Sequence, residues 1–227
     1  MLFPVVNEVW PFFFGTLFLF LLLGLFARLL KWKRTAVVCY LLAVLGAGFM
    51  LFFFRNPERI PPSDPAVIVA GADGTIMAVK EMREDFFLKT DVVRISVFLS
   101  LLDVHINRAP MGGKIAFLQY YPGKRYFTFM EKSSDYNQHS SILIENTRTR
   151  CLINQIVGPV ARRVVYWLEL GQTVKTGDQI GMMKFGSRLD MYFPKADVEV
   201  LIKPGAKVMA GVTAVARLKS AVGGVVK

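Results

Sequence analysis

Two uncharged apolar runs open the chain, residues 9–27 and 35–54, of 19 and 20 residues. At about 1.5 Å rise per residue each reaches roughly 30 Å as a helix, the thickness of a hydrocarbon layer. The link between them reads RLLKWKR and holds Arg28, Lys31, Lys33 and Arg34. Trp10 and Trp32 suit the boundary between water and lipid. The pattern predicts a helical hairpin that anchors residues 1–54 in a membrane. A cleaved signal peptide fits less well, because no basic stretch precedes the first run and a second run follows at once. Four prolines between 57 and 65 end the helical pattern. Beyond them the apolar period becomes short. Strands are predicted at 67–70, 75–80, 92–100, 114–120, 141–145, 149–158, 161–168, 178–184, 188–193, 197–202 and 212–218, with Gly- and Pro-containing turns between them. No long amphipathic helix is evident after residue 60. Residues 120–139 mix aromatic and charged side chains and read as a mobile or ligand-covering loop.

One internal repeat refines the fold. GQTVKTG (171–177) and GAKVMAG (205–211) share Gly-x-x-Val-x-x-Gly, 34 residues apart. Both resemble the hairpins of biotinyl and lipoyl carrier domains, and VAGADGTIMAV (69–79) resembles the entry strand of that architecture. The expected fold is mainly β (α+β overall): a barrel-sandwich-like β core over 55–227, with a few added strands and short helices, preceded by the N-terminal hydrophobic helical hairpin of 1–54.

Charge narrows the partners. The first 54 residues hold four basic residues and one acidic one, which leaves 24 basic and 16 acidic residues, a net +8, to residues 55–227. Such a balance suits nucleic acid or an anionic membrane face. No RNA-binding signature or zinc-finger spacing supports nucleic acid, and an anchored chain meets lipid headgroups first. Cys39 lies within an apolar run and Cys151 within a predicted strand, so no disulfide framework is indicated. Two histidines in the whole chain argue against a histidine-rich metal site, and no metal is expected.

Three segments could carry chemistry. Asp73 lies in the small-residue turn AGADG, where a local turn role is the plain alternative. His105 follows an apolar run in FLSLLDVHINRAPMGG, and a satisfied structural histidine is the alternative there. Gly186-Ser187 interrupts the strand-like QIGMMKFGSRLDMYFP, where a hairpin turn is the alternative. Taken in order, FFFRNPER, ADG, DVHINRAPMGG, YYPGKR and KFGSRLD, after two apolar runs, resemble the short-form phosphatidylserine decarboxylases over about residues 50–195.

That resemblance implies a chain that makes its own cofactor. Ser187 would attack the carbonyl of Gly186, and elimination would cut the chain and leave a pyruvoyl group derived from Ser187. The two products, the β chain (1–186) and the α chain (187–227), stay together. By the same resemblance Asp73 is the orienting carboxylate and His105 the base, which follows the logic of a catalytic triad. The pyruvoyl carbonyl then takes up the amine of phosphatidylserine, drains the electrons released with carbon dioxide, and yields phosphatidylethanolamine. His105 is suited to return the proton. Long-form members carry a second histidine three positions later, where this chain has Arg108. His105 then serves both steps, or His139 assists. Arg108 is a candidate for holding the lipid phosphate, with a plain surface charge as alternative. For His139 the alternative is a solvated loop residue. A second copy of the chain is a further candidate partner. Positive-inside logic places the KWKR link in the cytoplasm and the β domain outside, whereas the resemblance places the catalytic domain on the cytoplasmic face. A hairpin that dips into one leaflet reconciles them. A membrane-anchored barrel-sandwich adaptor and a biotinyl carrier modified at Lys184 remain as non-catalytic readings.

Overall fold

The computed structural model describes residues 4–124, 126, 128, 137–158, 164–184 and 187–219. The chain forms two compact units, Met1–Glu58 and Arg59–Lys227.

The first unit is a helical hairpin of α1 (Val9–Leu29) and α2 (Lys33–Phe53). The chain reverses at Lys31, whose φ of 61° is a turn conformation. Small residues make the contact between the helices. A Cβ on Gly24 would run into the Tyr40 ring, and one on Gly46 would meet the Thr16 methyl at 2.7 Å. Those two pairings fix an antiparallel register. Ala27, Ala36, Ala43 and Ala47 are buried with them, the small-residue packing expected of helices in lipid. The outward surface is apolar as well, with Phe14, Phe18, Leu22, Leu29, Val37, Leu41 and Leu45 exposed. Both helices are long and apolar enough to cross a membrane.

The second unit is built from strands. In order they are β1 (Val67–Val69), β2 (Gly74–Glu84), β3 (Thr90–Leu99), β4 (Ile106–Arg108), β5 (Gly113–Tyr121), β6 (His139–Glu145), β7 (Arg150–Val157), β8 (Val164–Tyr166), β9 (Thr173–Val174), β10 (Gln179–Met183), β11 (Ser187–Pro194), β12 (Val198–Val200), β13 (Lys207–Val208) and β14 (Ala214–Leu218). A large curled sheet runs β13-β2-β3-β11-β7-β6-β5-β9, and two small sheets run β1-β14-β12 and β4-β10-β8. One face of the large sheet supplies Ile95, Val97, Ile153, Leu189, Met191 and Phe193 to a core shared with Ile68, Ile180, Val215 and Ala216 of the small sheets. The alternate positions face the other way, where Leu88, Val92, Leu143, Leu152 and Tyr192 form a second, smaller cluster. This period-two division into a covered face and an opposite face explains the alternation in the sequence.

The Gly-x-x-Val-x-x-Gly repeat marks the two ends of the large sheet. Gly171, Gly177, Gly205 and Gly211 all have φ between 74° and 89°, which favours residues without Cβ. Between each pair lies a two-residue strand. β9 pairs with Gly113 and Lys114, and β13 with Gly74 and Thr75. The halves meet where Val69 N–H donates to Pro110 O at 3.0 Å and Arg108 N–H to Gly71 O at 2.9 Å.

The predicted mainly-β architecture and helical hairpin are present. The predicted strands appear with shifted ends, and residues 161–163 of one lie outside those described. Three short strands escape the sequence reading: β4, β9 and β13. No short helix follows α2 among the described residues, where turns and loops connect the strands. The 120–139 segment, read as a covering loop, falls partly outside the described residues.

Candidate active site

Ser187 is the first residue of β11, in register with Leu99 of β3 and Val157 of β7. Strands on both sides bury it completely, and its Oγ makes no hydrogen bond among the described residues. A buried hydroxyl without a partner is costly, by about 1–3 kcal/mol. Gly186, the other half of the predicted cleavage pair, lies outside the described residues.

Connectivity brings His105 to the same end of β11. Only residues 184–186 separate Met183, the end of β10, from Ser187. β4 runs antiparallel to β10, and the Met183 N–H donates to the His105 carbonyl at 3.2 Å. A buried polar chain agrees. Ser140 Oγ donates to Gln155 Oε1 at 2.7 Å, and Gln155 Nε2 donates to Asn107 Oδ1 at 2.7 Å. Gln155 lies two residues before Val157, the neighbour of Ser187, and Asn107 lies two residues after His105. The His105 ring is fully buried. Its Nδ1 lies 2.9 Å from the Asp103 carbonyl, which can only accept. Nδ1 therefore carries the hydrogen, and in the neutral ring Nε2 holds the lone pair of a base.

Asp73 approaches from the other half of the repeat. The antiparallel contacts Val69–Pro110 and Arg108–Gly71 bring residues 71–73 alongside 106–108. Asp73 is buried. Its Oδ2 accepts from Arg59 Nη2 at 2.8 Å and its Oδ1 from the Ala210 N–H at 2.7 Å. The hydrogen bond that sets the His105 Nδ1 tautomer thus comes from Asp103, while Asp73 is gripped by Arg59. Arg108, a candidate for the lipid phosphate with a surface charge as the alternative, is buried, and its Nη1 donates to Gly177 O at 2.9 Å. Burial, and next the nearby charge of Arg59, push the Arg108 guanidinium below its ordinary value, while Asp73 and Asp178 act in the opposite direction. Arg59, Asp73 and Arg108 therefore form one charged cluster beside β4.

His139 lies elsewhere. It shares a cross-strand row with Ile156 and Arg188, on the face opposite the one that carries Leu189 and Met191. Its Nδ1 donates to Asn137 O at 2.8 Å, and its ring stacks on Tyr121 with centroids 4.9 Å apart. It lines a pocket of about 450 Å³ with Ser141, Asn154, Tyr192 and Phe87. Strand pairing sets His105, Asp73 and Arg108 around β4, and the short link from β10 leads from there to Ser187, whose Oγ makes no hydrogen bond to any of them; His139 lies on the far face. Among the described residues no group of three or more His, Cys, Asp or Glu could hold a metal ion.

A family model described as phosphatidylserine decarboxylase matches residues 47–216. The chain belongs to the phosphatidylserine decarboxylase family. It is 42% identical over 179 residues to the phosphatidylserine decarboxylase proenzyme of Carboxydothermus hydrogenoformans, covering 79% of this chain and 84% of that protein. It is 44% identical over 180 residues to the proenzyme of Salinibacter ruber, covering 78% and 79%. It is 36% identical over 215 residues to that of Symbiobacterium thermophilum, covering 94% and 95%. The stretch matched to the decarboxylase family contains Asp73, His105, Arg108, His139 and Ser187, and it begins inside α2.

Sequence reasoning passed over Arg59, Asn107 and Gln155. Arg59 stands in the quoted motif FFFRNPER, so a signal existed, although no chemistry attached to it. Asn107 had the signal of an amide beside a candidate histidine. Gln155 had none, because its partner lies 48 residues away.

Proposed function

We propose that the chain cuts itself between Gly186 and Ser187, converts Ser187 to a pyruvoyl group, and decarboxylates phosphatidylserine to phosphatidylethanolamine with release of carbon dioxide. The observation that carries this reading is the Ser187 Oγ, buried and without a hydrogen bond at the head of β11. A buried serine hydroxyl without a partner carries a cost that calls for an explanation, and at Ser187 self-cleavage supplies one. The family relationship supplies the substrate class.

In self-cleavage His105 Nε2 takes the Ser187 hydroxyl proton. Oγ bonds to the Gly186 carbonyl carbon, and the peptide C–N bond breaks, so the amide becomes an ester. Loss of the Ser187 Cα proton then breaks the Cβ–Oγ bond and frees the Gly186 carboxylate. Water replaces the nitrogen of the dehydrated residue, which leaves as ammonia. Asp73, fixed by Arg59 and the Ala210 N–H, supplies negative charge beside the imidazolium that forms at His105. The site fits a pyruvoyl group, since its carbon skeleton is that of a residue already buried there. Once formed, the group supplies a carbonyl that accepts the electrons released by the carboxylate. His105 then gives a proton to the substrate carbon as carbon dioxide departs. Arg108 is assigned to the lipid phosphate, with Arg59 adding to the positive field, and His139 to a more distant part of the substrate. The catalytic domain is assigned to the cytoplasmic face, anchored by the two helices.

Intact mass under denaturing conditions tests the proposal. The purified protein should give two chains, 1–186 and 187–227, the second with a blocked N-terminus. Ser187→Ala should give one uncut, inactive chain. Asp73→Asn should slow the cut, and His105→Ala should abolish turnover. An uncut protein with full decarboxylase activity overturns the reading. A biotin mass shift at Lys184 on an intact chain would favour a carrier, and an intact unmodified chain an adaptor.

A further inference from the structure

Between β3 and β4 the chain makes a tight turn whose tip is apolar. The Asp103 N–H donates to Ser100 O at 3.1 Å. The Asp103 carboxylate closes the turn from the other side, accepting from the Ser100 N–H at 2.8 Å and from Ser100 Oγ at 2.7 Å. Leu101 and Leu102 occupy the two corner positions, 49% and 67% exposed. Corners of such turns ordinarily carry Gly, Pro, Asn, Asp or Ser. Here the polar residues form the base of the turn and hold two leucines outward.

The turn stands beside the site. Leu99, the residue before it, is in register with Ser187. The Asp103 carbonyl after it holds His105 Nδ1. Phe86 also projects, but from the β2–β3 hairpin at the opposite end of the ten-residue β3, about 30 Å away at 3.3 Å per residue.

We infer that Leu101 and Leu102 form a wedge that enters the lipid surface at the mouth of the site and admits phosphatidylserine from the bilayer to Ser187 and His105. The inference rests on the substrate proposed above. A lipid surface is the occupant that the chain itself indicates. The same chain carries two helices long and apolar enough to cross a membrane. Residues 55–227 carry a net +8, matched to an anionic surface. A diacyl lipid presents its headgroup only at the interface, so a site that uses it must meet that interface. Two leucines on a braced turn can enter the acyl boundary while Asp103 keeps the turn, and with it His105, in place. Leu101 and Leu102 are positioning residues for substrate entry and take no part in proton transfer.

The test uses the full chain in phosphatidylcholine bilayers containing phosphatidylserine, with carbon dioxide release as the readout. In parallel, a short-chain phosphatidylserine is supplied as monomers in water. The double variant Leu101→Ser/Leu102→Ser should cut itself as fast as wild type by intact mass. Its kcat/KM should fall tenfold or more on bilayers and stay within twofold on the soluble substrate. Leu102→Asp alone should lose more on bilayers than Leu102→Ser. Equal activity of variant and wild type on bilayers overturns the wedge, and so does an equal loss on both substrates. A change from dimer to monomer in the variant with unchanged bilayer kinetics also overturns it and assigns the leucines to a contact with a second copy. Wild-type protein that is cut yet inactive on both lipids defeats the substrate reading, and the wedge falls with it.

Discussion

Arg188 follows the candidate nucleophile directly, yet it points to the opposite face of β11 and is wholly buried. Its Nε and Nη2 donate to the two oxygens of Asp190 at 2.7 and 2.8 Å, and neither side chain reaches solvent. Residues i and i+2 of a strand share a face, so the pair brackets one side of the strand whose other side presents Ser187. A paired buried charge adds little net stability, but a separated one is expensive. Asp190→Asn should therefore lower stability by about 3–5 kcal/mol, because it leaves the guanidinium buried without its carboxylate. Arg188→Met with Asp190→Leu, which removes both charges, should be milder. Denaturant melts of the detergent-solubilised full chain would show the order. Equal losses in the two variants would mean that packing at this site outweighs charge. The pair also separates two kinds of defect. If it serves only to hold β11, cleavage and turnover should fall together with stability, whereas loss of His105 should lower activity far more than stability accounts for.

Among the elements, the glycine-flanked hairpins decide where the large sheet ends. Gly74 opens β2 with φ of 149°, and a Cβ there would collide with the Phe98 carbonyl of β3. Gly205 has φ of 89° but open space around it. The first position forbids a side chain by crowding as well as by backbone conformation, the second by conformation alone. Gly205→Ala should cost about 1–2 kcal/mol, the usual penalty of a left-handed residue. Gly74→Ala should cost distinctly more and should also slow self-cleavage, since Phe98 and Leu99 adjoin Arg188 and Ser187 across the ladder. Thermal melts and a cleavage time course of the two variants would check both statements. The repeat that contains Gly205 was visible in the sequence, because turn chemistry is local. β4 was not. INR has no alternation to read, and the three residues become a strand only because β10, some 70 positions later, supplies the ladder. For the same reason the burial of Arg108 was not legible, since its carbonyl partner, Gly177, is also remote in sequence.

At the scale of the whole molecule, Ser187, His105 and Asp73 could be put forward as candidates because the order of motifs resembles that of the decarboxylase family and the residue types suit its chemistry. Their assembly could not be named, because it depends on the crossing of the two halves at Val69–Pro110 and on the short link from β10 to β11. Arg59 belongs to this scale as well, since it joins the segment that follows the hairpin to the Asp73 carboxylate. What the sequence does state is a division of labour. The hairpin offers apolar area, and residues 55–227 offer a net charge of +8. Each basic residue close to an anionic surface contributes about 1 kcal/mol. That attraction weakens as the screening length drops from about 8 Å near 0.15 M salt to roughly 3 Å at 1 M. Burial of apolar area does not depend on such screening. Residues 55–227 without the hairpin should therefore bind vesicles containing phosphatidylserine at low salt and leave them as salt rises. The full chain should stay bound throughout. The Leu101–Leu102 wedge sets a floor: each leucine contributes at most about 1.5–3 kcal/mol when fully buried. Some binding of the truncated chain should thus persist at 1 M salt and disappear in Leu101→Ser/Leu102→Ser. Sedimentation with vesicles across a salt series would measure all three. Salt-independent binding by the truncated chain would reject the electrostatic account, and a truncated variant that keeps its high-salt residue would place that apolar contact somewhere other than the turn.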